Sequence, residues 1–264
     1  MQKTPPDYNF DVAKTLWQTS SLIDNEFNVY KTKGSVAILI DGGFFLKRVN
    51  RLCRPDQRNN VEYTIRLINM LCTRHARHLG QHVYRVFFYD CPPFNTGMHN
   101  PISKAFVKFE ESPQYKFKME LFEELRTMRK MALRLGRLNL NKESPWQISP
   151  KKIKELLAKK ITVDDLDPDV DLTPNFRQKQ VDMKIGIDIS SMVLKKQVQS
   201  IVLVAGDGDF VPASKLARRE GVDFILDPMW STIKPELYEH IDGLQSQRIQ
   251  EKQTKKDSHN ELCD

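Results

Sequence analysis

Asp41, Asp182 and Asp207 are three carboxylates with neither histidine nor cysteine beside them in the chain. Brought together they would repel one another. A hard divalent cation, Mg²⁺ or Mn²⁺, relieves that repulsion, whereas zinc prefers nitrogen and sulfur donors. Such a cation attracts a phosphodiester, polarises its phosphorus and lowers the pKa of attacking water, with one metal or two left open by the spacing. Gly42 and Gly43 follow the first acid and Gly206 and Gly208 flank the third, so the backbone can turn sharply and leave space for a phosphate. Asp209 supports this site, although its place just before Phe210 also suits a helix N-cap. Asp188 stands in a second tier. Six residues beyond Asp182, it is turned by about 120° on a helix and can instead pair with Lys184.

The elements that must position these acids follow from apolar runs. Residues 36–40 (VAILI) form a short continuous run, as expected of a strand buried on both faces of a parallel sheet, and it stops at Asp41. Ile65, Ile68, Leu71 and Cys72 recur at helical spacing within 61–79, and Gly80 is a natural terminator. A second strand over 83–89 ends at Asp90. Strand, helix, strand is the unit of a parallel sheet. Alternation resumes with a helix from Val181, a strand over 201–205, a helix from Phe210 and a strand over 222–226. Val181, Ile185, Ile189 and Met192 form a buried helical face, and Asp182 lies beside it on the first turn, where negative charge is favoured.

Three segments fall outside this rhythm. Residues 1–33 read as an N-terminal arm, with Val12, Leu16, Trp17 and Leu22 in a weak helical pattern. Residues 243–264 read as a polar C-terminal tail. An insertion at 96–175 carries a long basic helix from about Gln114, with Leu121, Leu125, Met128 and Leu135 at its apolar positions. Between Lys104 and Lys160 there are 15 Lys/Arg against 7 Asp/Glu, enough to account for the whole net charge of +7. That segment reads either as a solvated helical surface or as a nucleic-acid-binding one; in the second case Lys104, Arg126, Arg129, Lys130, Arg134 and Arg137 are the expected phosphate contacts to RNA near the acids, and a single strand enters a narrow acidic cleft more readily than a duplex.

Taken together, VAILIDGGFF at 36–45, KQVDMKIGIDI at 179–189 and LVAGDGDFVPASKLARREG at 203–221 resemble the NYN domain proteins of the LabA-like group, relatives of PIN-domain ribonucleases. The resemblance covers 34–96 and 176–242. It implies a PIN-like three-layer α/β fold over 34–242, with a central, mostly parallel sheet, a helical basic insertion after the second strand, and metal-dependent endoribonuclease activity. The family's acidic site falls on Asp41, Asp182 and Asp207, with Asp209 supporting. Two departures stand out: Phe44 occupies a position where many members carry Asn, and Ala205 one where they carry Ser or Thr. A catalytically silent RNA-binding or regulatory scaffold of the same fold is the alternative expectation.

Other features are expected to be inert. His75, His78 and His82 lie near a helix end, where cations are ordinary. Asp165, Asp167, Asp169 and Asp171 lack the glycine and terminal glutamate of a calcium loop. The four cysteines form no CxxC pair and read as reduced thiols. With no long apolar run, a cytoplasmic location without a membrane partner is the default, and self-association stays open.

Overall fold

A computed structural model describes residues 34–247. Strand β1 (Ser35–Asp41) is buried along its whole apolar run, because it lies between two parallel neighbours rather than at an edge. Helix α1 (Gly42–Leu52) starts directly after it, with Asp41 accepting a hydrogen bond from the Phe44 N–H at 3.1 Å. No side chain fits at Gly42. An added Cβ would lie 2.5 Å from the Phe88 ring and 2.7 Å from the Tyr89 carbonyl oxygen.

Helix α2 (Val61–Leu79) is capped by Asn60, which accepts from the Tyr63 N–H, and ends at Gly80 in the left-handed conformation, φ 62°. Its buried face includes Leu67, Ile68, Leu71 and His75. Strand β2 (His82–Asp90) returns parallel to β1.

The chain then makes a small antiparallel pair, β3 (Met98–His99) with β4 (Phe106–Val107), before helix α3 (Pro113–Thr127), capped by Ser112 and opened by a proline. The expected long helix ends here. Met128 and Leu135 do not extend its apolar face: the backbone breaks, with Lys130 at φ 65°, and β5 (Met131–Leu135) joins the central sheet beside β2. Part of the basic insertion therefore belongs to the core architecture.

Strands β6 (Arg137–Leu140), β7 (Trp146–Ile148), β8 (Leu172–Pro174) and β9 (Phe176–Lys179) form two further antiparallel ribbons, β6 with β9 and β7 with β8. Helix α4 (Pro150–Leu157) lies between them in the chain. The acidic loop at 165–171 folds onto it: Asp171 is buried, and Lys152 approaches its carboxylate at 3.8 Å.

Helix α5 (Val181–Leu194), strand β10 (Ser200–Val204), helix α6 (Val211–Arg219), strand β11 (Asp223–Asp227) and helix α7 (Pro235–Tyr238) restore the alternation. Strand β12 (Gly243–Leu244) pairs with β11, so the first residues beyond 242 complete the sheet edge.

The six-stranded sheet is wholly parallel, in the order β12-β11-β10-β1-β2-β5. With the seven α-helices among the described residues it makes an α/β fold of the PIN-like type. Side-chain alternation divides the core into two. Val36, Ile38, Ile40 and Phe88 pack with α1, α2 and α3, whereas Ala37, Leu39, Phe87 and Leu203 pack with α5 and α6. Each fully buried aliphatic side chain contributes about 1.5–3 kcal/mol. One polar link crosses the first layer: His75, fully buried, meets Asp227 at 2.8 Å, so it is engaged within the fold.

Candidate active site

The chain leaves β1 for β2 and β5 on one side of the sheet, and later fills β10, β11 and β12 on the other. The order reverses between β1 and β10, which opens a crevice beyond their carboxyl ends, the usual ligand position in such sheets. Asp41 ends β1. Asp207 follows β10 after the bend Ala205, Gly206. Asp182 is the second residue of α5, and Asp209 lies in the single 3₁₀ turn Gly208–Phe210.

Electrostatics link these acids in series. Burial pushes the Asp41 carboxyl from 3.8 up to about 6, the N–H groups of Phe44 and Gly43 oppose the rise, and the charges of Asp182 and Asp90 add to it. Asp182 is also raised, by burial first and then by Asp207 and Asp209. The rim thus concentrates like charge that the protein only partly compensates. Asp207 is half exposed, with Lys234 at 3.4 Å.

Asp209 does not cap α6. The N-cap position is Phe210, without a side-chain cap bond, because the intervening 3₁₀ turn moves the helix start one residue on. Asp188 leaves the acidic group altogether: its carboxylate accepts from the Tyr89 hydroxyl at 2.9 Å and from Arg134 Nε at 3.0 Å, rather than pairing with Lys184. These bonds hold α5 to β2 and β5.

The cations expected at the site separate in the same way. Parallel register sets Met131 beside Val86 and Leu135 beside Asp90, so the start of β5 is the end away from the acids. Arg126, Arg129 and Lys130 belong to that far end. Arg126 pairs with Glu123, and Lys130 donates to the Val83 carbonyl. Lys104 folds onto its own turn, donating to the Pro101 carbonyl at 2.6 Å. Arg134 is engaged by Asp188 and covers the Phe87 ring. Arg137, just past β5, stands on the acidic side.

Asp90, Lys118, Gln178 and Lys234 were not singled out from sequence. Asp90 is wholly buried at the end of β2; its Oδ1 accepts from Lys118 Nζ and from the Cys91 N–H, each at 2.7 Å, while Oδ2 has no hydrogen-bond partner. Its signal was available, since it ends an apolar strand just as Asp41 does. Gln178 lies by Gly43: a Cβ there would sit 3.3 Å from its Oε1 and 3.4 Å from Asp41 Oδ1. Gly206 is obligatory because the Phe44 ring covers it, 2.4 Å from where a Cβ would stand.

An all-oxygen donor set suits a hard divalent ion, and a cation would relieve both the raised Asp41 and the unpartnered Asp90 oxygen. Yet among the described residues no three His, Cys, Asp or Glu side chains are already gathered as a metal cluster. From Asp182 and Asp209 an open groove of about 520 Å³ runs between α5 and α6, lined by Met183, Ile187 and Pro212.

No curated protein matches the chain. A crystal structure of a protein of unknown function from Vibrio parahaemolyticus aligns over 82% of this chain and 94% of that one, at 16% identity and a TM-score of 0.39, too low to bear on the site. No helix among the described residues is long and apolar enough to cross a membrane. Residues 114–236 match the NYN domain family model, a span that contains Asp182, Asp207 and Asp209 but begins after Asp41 and Asp90. That match supports an NYN domain over this span, just under half of the chain, and the NYN domain in turn suggests the PIN-like nuclease superfamily.

Proposed function

We propose that this chain is a metal-dependent endoribonuclease that hydrolyses phosphodiester bonds of single-stranded RNA, as a LabA-like member of its family acting in the cytoplasm. The observation that carries the reading is the set of carboxylates at the strand-order reversal, where burial, with the charges of Asp182 and Asp90 added, drives Asp41 up to about 6. Asp41, Asp182 and Asp207, supported by Asp209, would hold Mg²⁺ or Mn²⁺, which would supply charge neutralisation at the scissile phosphate and water of lowered pKa. Asp41 is kept in place by its bond to the Phe44 N–H. Lys118 neutralises Asp90, leaving the outer acids to face the ligand. Lys234, exposed beside Asp207, offers its ammonium to a non-bridging phosphate oxygen.

A second reading, an RNA-binding scaffold without turnover, is favoured by the absence of a gathered metal cluster among the described residues and by Phe44 over Gly206. Incubating purified protein with end-labelled RNA in Mn²⁺, Mg²⁺ or EDTA, beside Asp207→Asn, separates the two. Metal-dependent internal cleavage lost in the variant is expected. Cleavage indifferent to EDTA or to the substitution would sink the metal-dependent acidic site, and salt-sensitive binding with no cleavage in any metal would leave the scaffold.

A further inference from the structure

The β6–β9 ribbon is two-faced. Directly opposed residues of an antiparallel pair share a side, as do residues two apart on one strand, so Arg137, Lys179, Asn139 and Arg177 occupy one face, all exposed. The opposite face carries Leu138, Leu140 and Phe176, partly buried, with Phe176 against Phe94 and Phe109. Apolar packing thus fixes the ribbon, and the basic face is left to solvent.

Its position relative to the acids is set at two points. On the apolar face Gln178 reaches the Gly43 and Asp41 turn, and the Lys179 N–H bonds the thiol of Cys91, the residue after Asp90. Only Gln180 and Val181 separate Lys179 from Asp182. At Gly136 the ribbon comes so near that a Cβ would lie 2.5 Å from the Lys179 carbonyl oxygen. The basic face is therefore anchored to the acidic rim itself.

Its cations are also uncommitted. Among the described residues Arg137, Arg177, Lys179 and the neighbouring Lys142 take part in no ion pair, whereas Arg126, Arg134, Lys118 and Lys234 each face a carboxylate. A hollow of about 320 Å³ has Asn139, Asn141, Lys142, Glu143, Arg177 and Lys179 in its lining together with Leu140, and so supplies amide donors among the cations and one acid. Along β9 Arg177 and Lys179 are about 6.8 Å apart, and Arg137 faces Lys179 across the pair at about 5 Å.

We infer that the outer face of the β6–β9 ribbon is the backbone-binding track for RNA, with Arg137, Arg177 and Lys179 meeting successive phosphates of a single strand that continues to the acidic rim. This rests on the reading of the protein as an RNA-cleaving enzyme. It keeps Arg137 from the sequence expectation, adds Arg177 and Lys179 of β9, and removes the contacts expected at the end of α3. The face is only four residues long on each strand, which suits a strand drawn out along it rather than the shape-reading of a duplex.

The test is equilibrium binding, separate from cleavage. A fluorescently labelled oligouridylate is titrated with full-length protein in EDTA across a range of KCl, using wild type, Arg177→Ala/Lys179→Ala and Arg126→Ala/Arg129→Ala, each first checked for an unchanged melting profile. Removal of two phosphate contacts should weaken binding about tenfold at low salt and flatten the log–log salt slope by about 1.4, while the far-end pair leaves both unchanged. Equal slopes for the ribbon variant and wild type, or a larger loss in the far-end variant, overturn the track. If RNA is still cut in a metal-dependent way in that case, the nuclease reading stands and only the track falls. Wild type that binds no RNA removes both.

Discussion

Replacing Asp41 by Asn should make the protein more stable, and only above acidic pH. A carboxyl whose folded pKa lies above its unfolded value holds its proton more tightly in the folded state, so ionising it costs stability. The cost is absent below about 3.8 and complete above about 6. That interval corresponds to about 3 kcal/mol. Asparagine retains the oxygen that accepts from the Phe44 N–H, so the start of α1 keeps its cap while the charge is removed. For a domain of this size 1 kcal/mol moves the melting temperature by about 2–4 °C, giving a gain of about 6–12 °C at pH 7.5. The assay is thermal and urea denaturation followed by circular dichroism between pH 4 and pH 8 in EDTA. The wild type loses stability as pH rises from 4 to 6.5 relative to the variant, and the curves meet near pH 4. Added Mn²⁺ then stabilises the wild type more than the variant, narrowing the difference. A variant that melts below wild type at pH 7.5, or a gap that persists at pH 4, would refute the account of Asp41 as a charge held at a cost.

Lys118→Met leaves the fully buried Asp90 without its cation, and urea unfolding should register a loss of about 3 kcal/mol, largely restored by adding Asp90→Asn. Gly206→Ala drives a methyl group into the Phe44 ring and should cost about 1–3 kcal/mol; a double-mutant cycle with Phe44→Ala should recover most of it, and additivity would show that the ring is not the obstacle. Asp188→Ala removes the partner of Tyr89 and Arg134, so stability should fall by about 1 kcal/mol while the rate of RNA cleavage holds; a large drop in rate at unchanged stability would return Asp188 to the site.

The strands were legible where their chemistry admits one interpretation. VAILI and the run before Ala205 are too short for helices and too uniformly apolar for an edge, and both are central strands. MALRL was not legible: its alternation is weak, and it follows helix α3 without a proline or glycine to mark the break, which is made by Lys130 in a left-handed conformation. Placing the basic residues depended on that break. Read as one helix, Arg126 to Arg137 run together as a single surface; with β5 inserted, they divide between opposite ends of the sheet. Asp90 has no glycine after it to set it apart, and the cation that balances it in the core is Lys118, 28 residues away. Asp209 suited a cap by type, yet the 3₁₀ turn before α6 is a local tightening that composition does not announce.

The pairing of β1 with β10 joins residues about 160 positions apart, Val36 with Ser200 and Ile40 with Val204. Contacts of such long range form slowly, because a large loop must close before any interaction rewards it. On a ribosome, the segment bearing Asp41 is complete long before β10 and Asp207 are made, and chains stopped anywhere in between contain only half of the crevice. Assembly of the acidic rim is therefore timed by synthesis of its last part, and a truncated product that has lost β10 should lack the crevice, whatever else it retains.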